Sequence, residues 1–175
     1  TIAWRLLKKL YKFALDEMNS MKPEKILDIG AGPGKLSIMV AKKFPDAKFF
    51  TIDPSEYMVK AEIKNFEKEN IKAQCKPGSS RDIPFGENFD LIYTSLSFHH
   101  WKERDSNIKY VLSKLNDNGT FMIIEFLQDY YKSPLSLTRK HSISKQYAES
   151  LKFDGFEKTV NTSGKFISIK FKKVS

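Results

Sequence analysis

The sequence predicts a doubly wound α/β domain. Its sheet is mostly parallel and seven-stranded, with an N-terminal helix before it and an antiparallel hairpin at its end. Three observations carry this reading. Short apolar runs alternate with helically periodic segments from residue 25 to residue 126. The first run leads into the glycine-rich turn Gly30-Ala31-Gly32-Pro33-Gly34 and then a helical segment. Finally, Phe156–Asn161 and Lys165–Val174 are two strand-like runs joined by Thr162-Ser163-Gly164.

Taken in order, residues 2–20 place Ile2, Leu6, Leu10, Ala14 and Met18 on one helical face, with Arg5, Lys8, Lys9, Lys12 and Asp16 opposite. The apolar face is no larger than packing requires, so we read a helix packed on the domain, not a membrane-surface helix. Pro23 marks its end. Lys25–Ile29 is the first strand, Lys35–Phe44 a helix stopped by Pro45, and Ala47–Ile52 the second strand. Ser55 is a suitable N-cap for a helix over Ser55–Asn70. A weak third strand covers Ile71–Lys76 and a strong fourth covers Phe89–Leu96. Asp105–Leu115 reads as helix, Asn116-Asp117-Asn118-Gly119 as a turn, and Thr120–Phe126 as the fifth strand. Leu127–Leu137 has no clean period, and Ser144–Leu151 reads as a short helix. No repeat or linker divides the chain. We read one domain over 1–175, with a cofactor-binding half at 22–126, a small cap at 127–155 and the hairpin at 156–175.

Composition narrows the function classes. Hydrophobic residues make up 41% and charged residues 29%, as in ordinary globular domains, which excludes disordered and collagen-like chains. One cysteine, Cys75, allows no internal disulfide and points to a reducing compartment. No apolar run is long enough for a membrane span, and the N-terminal segment lacks a signal peptide's apolar stretch, so a cytoplasmic location is expected. The net charge of +9 raises nucleic acid or an anionic substrate as a partner. Residues 127–175 hold 10 basic and 4 acidic groups, two-thirds of that surplus, and 26 of the 30 basic residues are lysine. Base readout and bidentate phosphate clamping favour arginine, so a basic patch attracting a small anionic acceptor is preferred to a nucleic-acid surface.

The glycine turn carries the chemistry. Strand, glycine-rich turn and helix form a nucleotide-binding unit, and the second strand ends at Asp53, 19 residues beyond Gly34, where an acid can accept from ribose hydroxyls. A dinucleotide fingerprint would place a small third residue where Lys35 stands, which disfavours an NAD-dependent oxidoreductase. A phosphate loop would need Ser or Thr where Leu36 stands.

Asp28-Ile29-Gly30-Ala31-Gly32-Pro33-Gly34 resembles the first motif of class I S-adenosylmethionine-dependent methyltransferases, which have a Rossmann-like fold. Asp82-Ile83-Pro84-Phe85 with Asn88-Phe89-Asp90-Leu91-Ile92 resembles the ubiquinone/menaquinone-biosynthesis-like (type 11) branch. So do Leu96-Ser97-Phe98-His99-His100-Trp101 and Leu115-Asn116-Asp117-Asn118-Gly119-Thr120. The likeness covers roughly residues 22–126. It implies S-adenosyl-L-methionine as cofactor, leaving as S-adenosyl-L-homocysteine.

The resemblance also implies roles. Gly30, Ala31, Gly32 and Gly34 would lie under the methionine and ribose, Asp28 would hold the turn and the cofactor's amino group, and Asp53 would bind the ribose diol. Pro54 and Ser55 would lie beside the adenine, with Ser79, Ser80 and Arg81 at its edge. Ser95 to Phe98, Ser95 and Leu96 first among them, would line the methyl-transfer side. Ser79 stands where the branch often has an acid, which would weaken the hold on adenine and leave more to the backbone of Ser80 and Arg81.

Candidate bases near the ends of strands four and five are His99, His100, Tyr93 and Glu125, with His99 and His100 singled out as catalytic candidates. Tyr130 and Tyr131, with Leu135 and Leu137, are candidates for a substrate lid. Cys75, inside a strand, reads as an apolar residue and not a nucleophile. Three histidines and one cysteine give no ligand spacing besides His99-His100, so no metal is expected. The leading function is methyl transfer by in-line displacement to a small-molecule or lipid-like acceptor. Alternatives are an RNA or other nucleic-acid methyltransferase and a non-catalytic cofactor-binding or partner module. With so small a cap, a homodimer is one way to complete the acceptor pocket.

Overall fold

Strand β1 (Lys25–Ile29) is buried along four of its five residues, so both faces of the sheet around it must be covered. The computed structural model shows how; it describes residues 2–132 and 137–174, with the side chains of Ile2 and Leu137 left out. The remaining strands are β2 (Lys48–Asp53), β3 (Ala73–Pro77), β4 (Phe89–Ser95), β5 (Leu115–Phe126), β6 (Phe156–Ser163) and β7 (Phe166–Lys173). They form one seven-stranded sheet in the order β3-β2-β1-β4-β5-β7-β6. The pairs among β1 to β5 are parallel; β7 runs antiparallel to both β5 and β6. The expected architecture is therefore the observed one.

Period-two alternation sorts the core into two layers. Leu27, Ile29, Phe50, Ile52, Ile92, Phe121 and Ile123 pack in one layer with residues of α4 (Arg104–Leu112) and α6 (Lys145–Ser150). Ile26, Phe49, Leu91, Tyr93, Met122 and Ile124 pack in the other with α1 (Ile2–Glu17), α2 (Lys35–Lys43) and α3 (Glu56–Lys68). Leu10 and Ala14 of α1 are fully buried there, and its cationic face is exposed. The first helix is thus packing material, as its periodicity implied. No helix among the described residues is long and apolar enough to cross a membrane.

Ser55 caps α3 by accepting from the Met58 N–H at 3.3 Å, and Ser144 caps α6 through the Tyr147 N–H at 3.1 Å. One expectation needs correcting. The turn at 116–119 does not precede the fifth strand; it is a bulge inside it. Leu115 pairs with Phe89 and Thr120 with Leu91, so four residues loop out against one. Asp90, the residue opposite, explains the motif around it. Its carboxylate accepts from the Glu24 and Lys25 N–H groups at 3.0 and 2.9 Å, and from Asn116 Nδ2 at 2.8 Å. It aligns the start of β1 and pins the bulge.

The end of α1 is fixed to the hairpin through Glu17. Oε2 accepts from Ser168 Oγ at 2.7 Å and Asn161 Nδ2 at 2.9 Å, and lies 3.0 Å from Lys170 Nζ. Burial alone would push this carboxyl up; the two donors and the ammonium outweigh it and hold it below its ordinary value. A depressed folded-state value contributes stability above the ordinary value of 4.5, and that stability is lost as pH falls through the folded value. Glu17→Gln should therefore lower stability at pH 7 by about 1–2 kcal/mol. The deficit should shrink below about pH 4.5. Urea unfolding at pH 7 and pH 3.5 checks this; a deficit equal at both values would contradict it.

Candidate functional site

The carboxyl edge of the parallel strands is where an open α/β sheet offers a crevice. Here it begins with the turn after β1. The Gly30 and Ala31 N–H groups both donate to the Ile52 carbonyl, at 2.8 and 3.2 Å, which folds the turn back over β2. Gly30 is in the left-handed region (φ +76°), and a Cβ there would stand 2.7 Å from Ser97 Cβ. Gly32 is also left-handed (φ +56°), but a Cβ there would meet nothing within 4 Å. The backbone at Gly32 is thus an open platform.

Asp53 ends β2 beneath this platform. Its Oδ2 accepts from the Gly32 N–H and its Oδ1 from the Ser55 N–H, both at 2.9 Å. One carboxylate therefore holds the glycine turn and the start of α3 together. Each oxygen keeps a lone pair for a further donor.

A cleft of about 260 Å³ runs past this point, lined by Gly30, Pro54, Ser79, Ser80, Arg81, Ser97, His100, Trp101, Lys102 and Asn107. Pro54, Ser79, Ser80 and Arg81 are thus brought together along one cleft. Ser79 differs in detail. Its Oγ accepts from the Arg81 N–H at 3.2 Å, and its backbone exchanges two hydrogen bonds with Asp82. The Arg81 N–H, expected to serve adenine, is already used. Ser97 falls within the stretch expected to line the methyl-transfer side; Trp101, Lys102 and Asn107 were not foreseen, and only the run 96–101 hinted at the first of them.

Asp28 does not line the cleft. It belongs to the layer of Ile26, is 3% exposed, and accepts from Ser37 Oγ at 2.7 Å. Burial pushes its carboxyl up to about 7, against the Ser37 hydrogen bond and with the negative charge of Asp53 adding to the rise. Glu62 of α3 was missed entirely, since it read as one more charge on a solvated helix. It is fully buried, accepting from Thr51 Oγ1 at 2.8 Å, with Oε1 unpartnered. Its Cγ lies 2.8 Å from where a Gly34 Cβ would be, so the turn closes directly onto it. Burial, reinforced by Asp28 and Asp53, pushes Glu62 up to about 8 despite the Thr51 hydrogen bond. Tyr93 lies among these groups, fully buried with its hydroxyl unpartnered, and burial holds its ionisation well above the ordinary range. Tyr93 is therefore not a base at the cleft, contrary to expectation. Cys75 is half-buried and its thiol is pushed up to about 11 by burial, so it is no thiolate.

A second group of candidate residues lies past the end of β4. Ser95 Oγ is buried without a partner. Leu96 is held in the left-handed region (φ +53°), an uncommon conformation for a branched side chain, with its N–H on the Ile124 carbonyl. A second cavity of about 260 Å³ is lined by Leu96, His99, Phe126, Thr138 and His141. Glu125 of β5 is fully buried and accepts from the His99 N–H at 3.1 Å; His99 Nδ1 lies 3.1 Å from each of its oxygens. Glu125 thus supports His99 and is not itself a free base.

Tyr130 and Tyr131 line neither cavity. Tyr130 is exposed beneath the Lys165 ammonium, and Tyr131 packs edge-on against Phe126. Leu135 and the Leu137 side chain, the rest of the expected lid, lie outside the described residues.

The family model described as "Methyltransferase domain" matches residues 26–119, more than half of the chain. The chain belongs to this methyltransferase domain family. An uncharacterized methyltransferase of Staphylococcus carnosus is 37% identical over 129 residues, 71% of this chain and 59% of that protein. The chain thus spans about three-fifths of that relative's length. A SAM-dependent methyltransferase from Aquifex aeolicus shares the fold at a TM-score of 0.78 and 19% identity, over 94% of this chain and 89% of that one. The plantazolicin methyltransferase BpumL, solved in complex with a triazolic desmethylPZN analog and SAH, also aligns at 0.78, with 18% identity over 95% of this chain and 84% of that one.

The buried acids of this methyltransferase domain set a stability trend. A carboxyl raised to about 8 in the fold, from an ordinary 4.5, costs stability as pH rises from about 4.5 through 8. Glu62→Gln removes one such ionisation. The variant should gain on the parent between pH 5 and pH 9 by on the order of a few kcal/mol, one pKa unit being about 1.4 kcal/mol. Denaturant midpoints at the two pH values test it, and parallel trends would refute the assignment.

Proposed function

We propose that this chain binds S-adenosyl-L-methionine across the Gly30–Gly34 turn and transfers its methyl group by in-line displacement to a small-molecule acceptor. One observation carries the reading: the open backbone at Gly32 sits on the Asp53 carboxylate, so a ligand lying on the platform meets a hydrogen-bond acceptor at once.

The residues present suit that cofactor. Asp53 would accept from the ribose diol with its remaining lone pairs. Pro54 and the Ser79–Arg81 turn would flank the adenine, with Ser79 Oγ still able to donate its own hydrogen. Ser95, whose buried hydroxyl lacks a partner, would gain one on the methionine side. Glu62, raised to about 8, and Asp28, raised to about 7 and so only partly protonated at neutral pH, would both be drawn toward ionisation by a nearby positive charge. When bound, the cofactor supplies an electrophilic methyl group on a sulfonium. The chain's own part is chiefly positioning. A proton acceptor is needed only if the accepting atom carries a proton, and His99 and His100 are the candidates for acting on it.

Two features support a small acceptor over nucleic acid. The cavity beside His99 is small and partly apolar, with Leu96 and Phe126 in its wall. Two of the four arginines are committed within the chain: Arg139 Nη1 donates to the Tyr131 carbonyl at 2.7 Å, and Arg104 Nη2 to the His99 carbonyl at 3.1 Å. The complex of BpumL with SAH and a desmethylPZN analog supports the same class of cofactor and acceptor for this fold.

Calorimetry with S-adenosyl-L-homocysteine tests the proposal. Saturable binding is expected, weakened at least about 30-fold by Asp53→Ala, the worth of one charge-assisted hydrogen bond of ~2 kcal/mol. A folded protein that takes up no S-adenosyl-L-homocysteine at millimolar concentration would sink the reading.

A further inference from the structure

All three histidines of the chain meet at one place. His99 and His100 lie on the single 3-10 turn Phe98–His100 after β4, and His141 follows the short helix α5 (Leu137–Lys140). Ring centroids are 4.0 Å apart for His99 and His100, 5.0 Å for His99 and His141, and 5.7 Å for His100 and His141. One nitrogen from each ring lies within 4.8 Å of one from each of the others. From these observations we propose that His99, His100 and His141 form a binding site for a divalent transition metal of the zinc class, with Glu125 orienting His99.

The geometry is close to what a metal needs. Metal–nitrogen bonds of about 2.0–2.1 Å in a tetrahedral site put neighbouring nitrogens roughly 3.4 Å apart. The largest separation must therefore close by about 1.4 Å. His100 and His141 are exposed and free to make that adjustment by side-chain rotation. His99 needs no such freedom, because it is already set. Its Nδ1 faces both oxygens of the buried Glu125, which fixes that nitrogen as the donor and leaves Nε2 with a free lone pair. A carboxylate on the far nitrogen is the usual support of a metal-ligating imidazole; it fixes the tautomer and raises the ring's basicity.

The donor set selects the metal. Three neutral imidazoles without thiolate suit Zn²⁺, Co²⁺, Ni²⁺ or Cu²⁺, whereas Mg²⁺ and Ca²⁺ prefer oxygen ligands. Three protein ligands leave a fourth position open, as in catalytic and not structural zinc sites. His99 and His141 border the small cavity with Leu96, Phe126 and Thr138, and His100 borders the cleft of the glycine turn. A hydroxyl or thiol of an acceptor in that cavity could take the open position, lose its proton to solvent and, as the anion, bond to the methyl carbon while the sulfonium S–C bond breaks and S-adenosyl-L-homocysteine leaves, which would replace a general base. This last role rests on the methyl-transfer reading; the metal site itself does not.

Zn²⁺ alone, titrated by calorimetry into chelator-stripped full chain, is the test, with Co²⁺ absorption as a second readout. One Zn²⁺ per chain at micromolar affinity or tighter is expected, with Co²⁺ showing the intense visible bands of four-coordination. His141→Ala, at an exposed side chain, should weaken binding about 100-fold or more, and Glu125→Gln about 10- to 100-fold. If Glu125→Gln does not fold, His141→Ala decides alone. No stoichiometric binding, or binding indifferent to His141→Ala, overturns the site. Uptake of S-adenosyl-L-homocysteine without Zn²⁺ would remove the metal site and keep the cofactor reading; Zn²⁺ without S-adenosyl-L-homocysteine would do the reverse.

Discussion

The Asp53 carboxylate is the joint on which the site depends. With one oxygen on the Gly32 N–H and the other on the Ser55 N–H, it fixes two loops that belong to successive βα units. Without it, the Gly32 N–H would lose its partner, leaving the turn to the Gly30 and Ala31 bonds to Ile52, the Gly34 N–H bond to the Ala31 carbonyl and the Asn65 bond to the Pro33 carbonyl. A charged acceptor for two backbone donors is stronger than a neutral one. The same group that would bind a ribose therefore also builds the surface on which a ribose would lie. Pre-organisation of this kind lowers the cost of ordering a ligand site.

Beneath that joint the domain tolerates an unfavourable arrangement. Asp28 and Glu62 are both buried, both carry raised ionisation values, and both feel Asp53. A fold selected for stability alone would place apolar groups there, since buried carboxyls gain little from a hydroxyl partner each. Burial is the first cause of both raised values, with the charge of Asp53 adding to each. The cluster therefore costs stability as pH rises, and it lies in the layer away from the histidines.

Much of this was legible in the sequence. Period-two burial, the glycine turn and Asp53 lie within one βαβ unit, where local spacing decides the geometry. The hairpin showed through the alternation of Phe166, Ser168 and Lys170 against Ile167, Ile169 and Phe171. What escaped was tertiary. Glu62 looks solvated in a helix rich in charge, and only the closeness of Gly34 explains its burial. The 116–119 segment has turn composition, and it is indeed a local excursion, but pairing on both sides absorbs it into β5. His141 stands forty-one residues from His100 with nothing periodic between them, so no spacing rule could join them.

Strand parity keeps the buried acid cluster and the imidazoles on opposite faces of the sheet. Asp28 and Tyr93 point into the layer packed by α2 and α3. Glu125 has the opposite parity to Met122 and Ile124, which puts it with Phe121 and Ile123 in the layer packed by α4 and α6. The sheet itself therefore separates a carboxyl cluster in the layer of α2 and α3 from a carboxylate–imidazole pair in the layer of α4 and α6. His100, on the turn at 98–100, reaches the cleft of the glycine turn at the strand ends. Had Glu125 been one residue earlier or later in β5, its carboxylate would have turned into the opposite layer, and His99 would have lost the group that its ring faces.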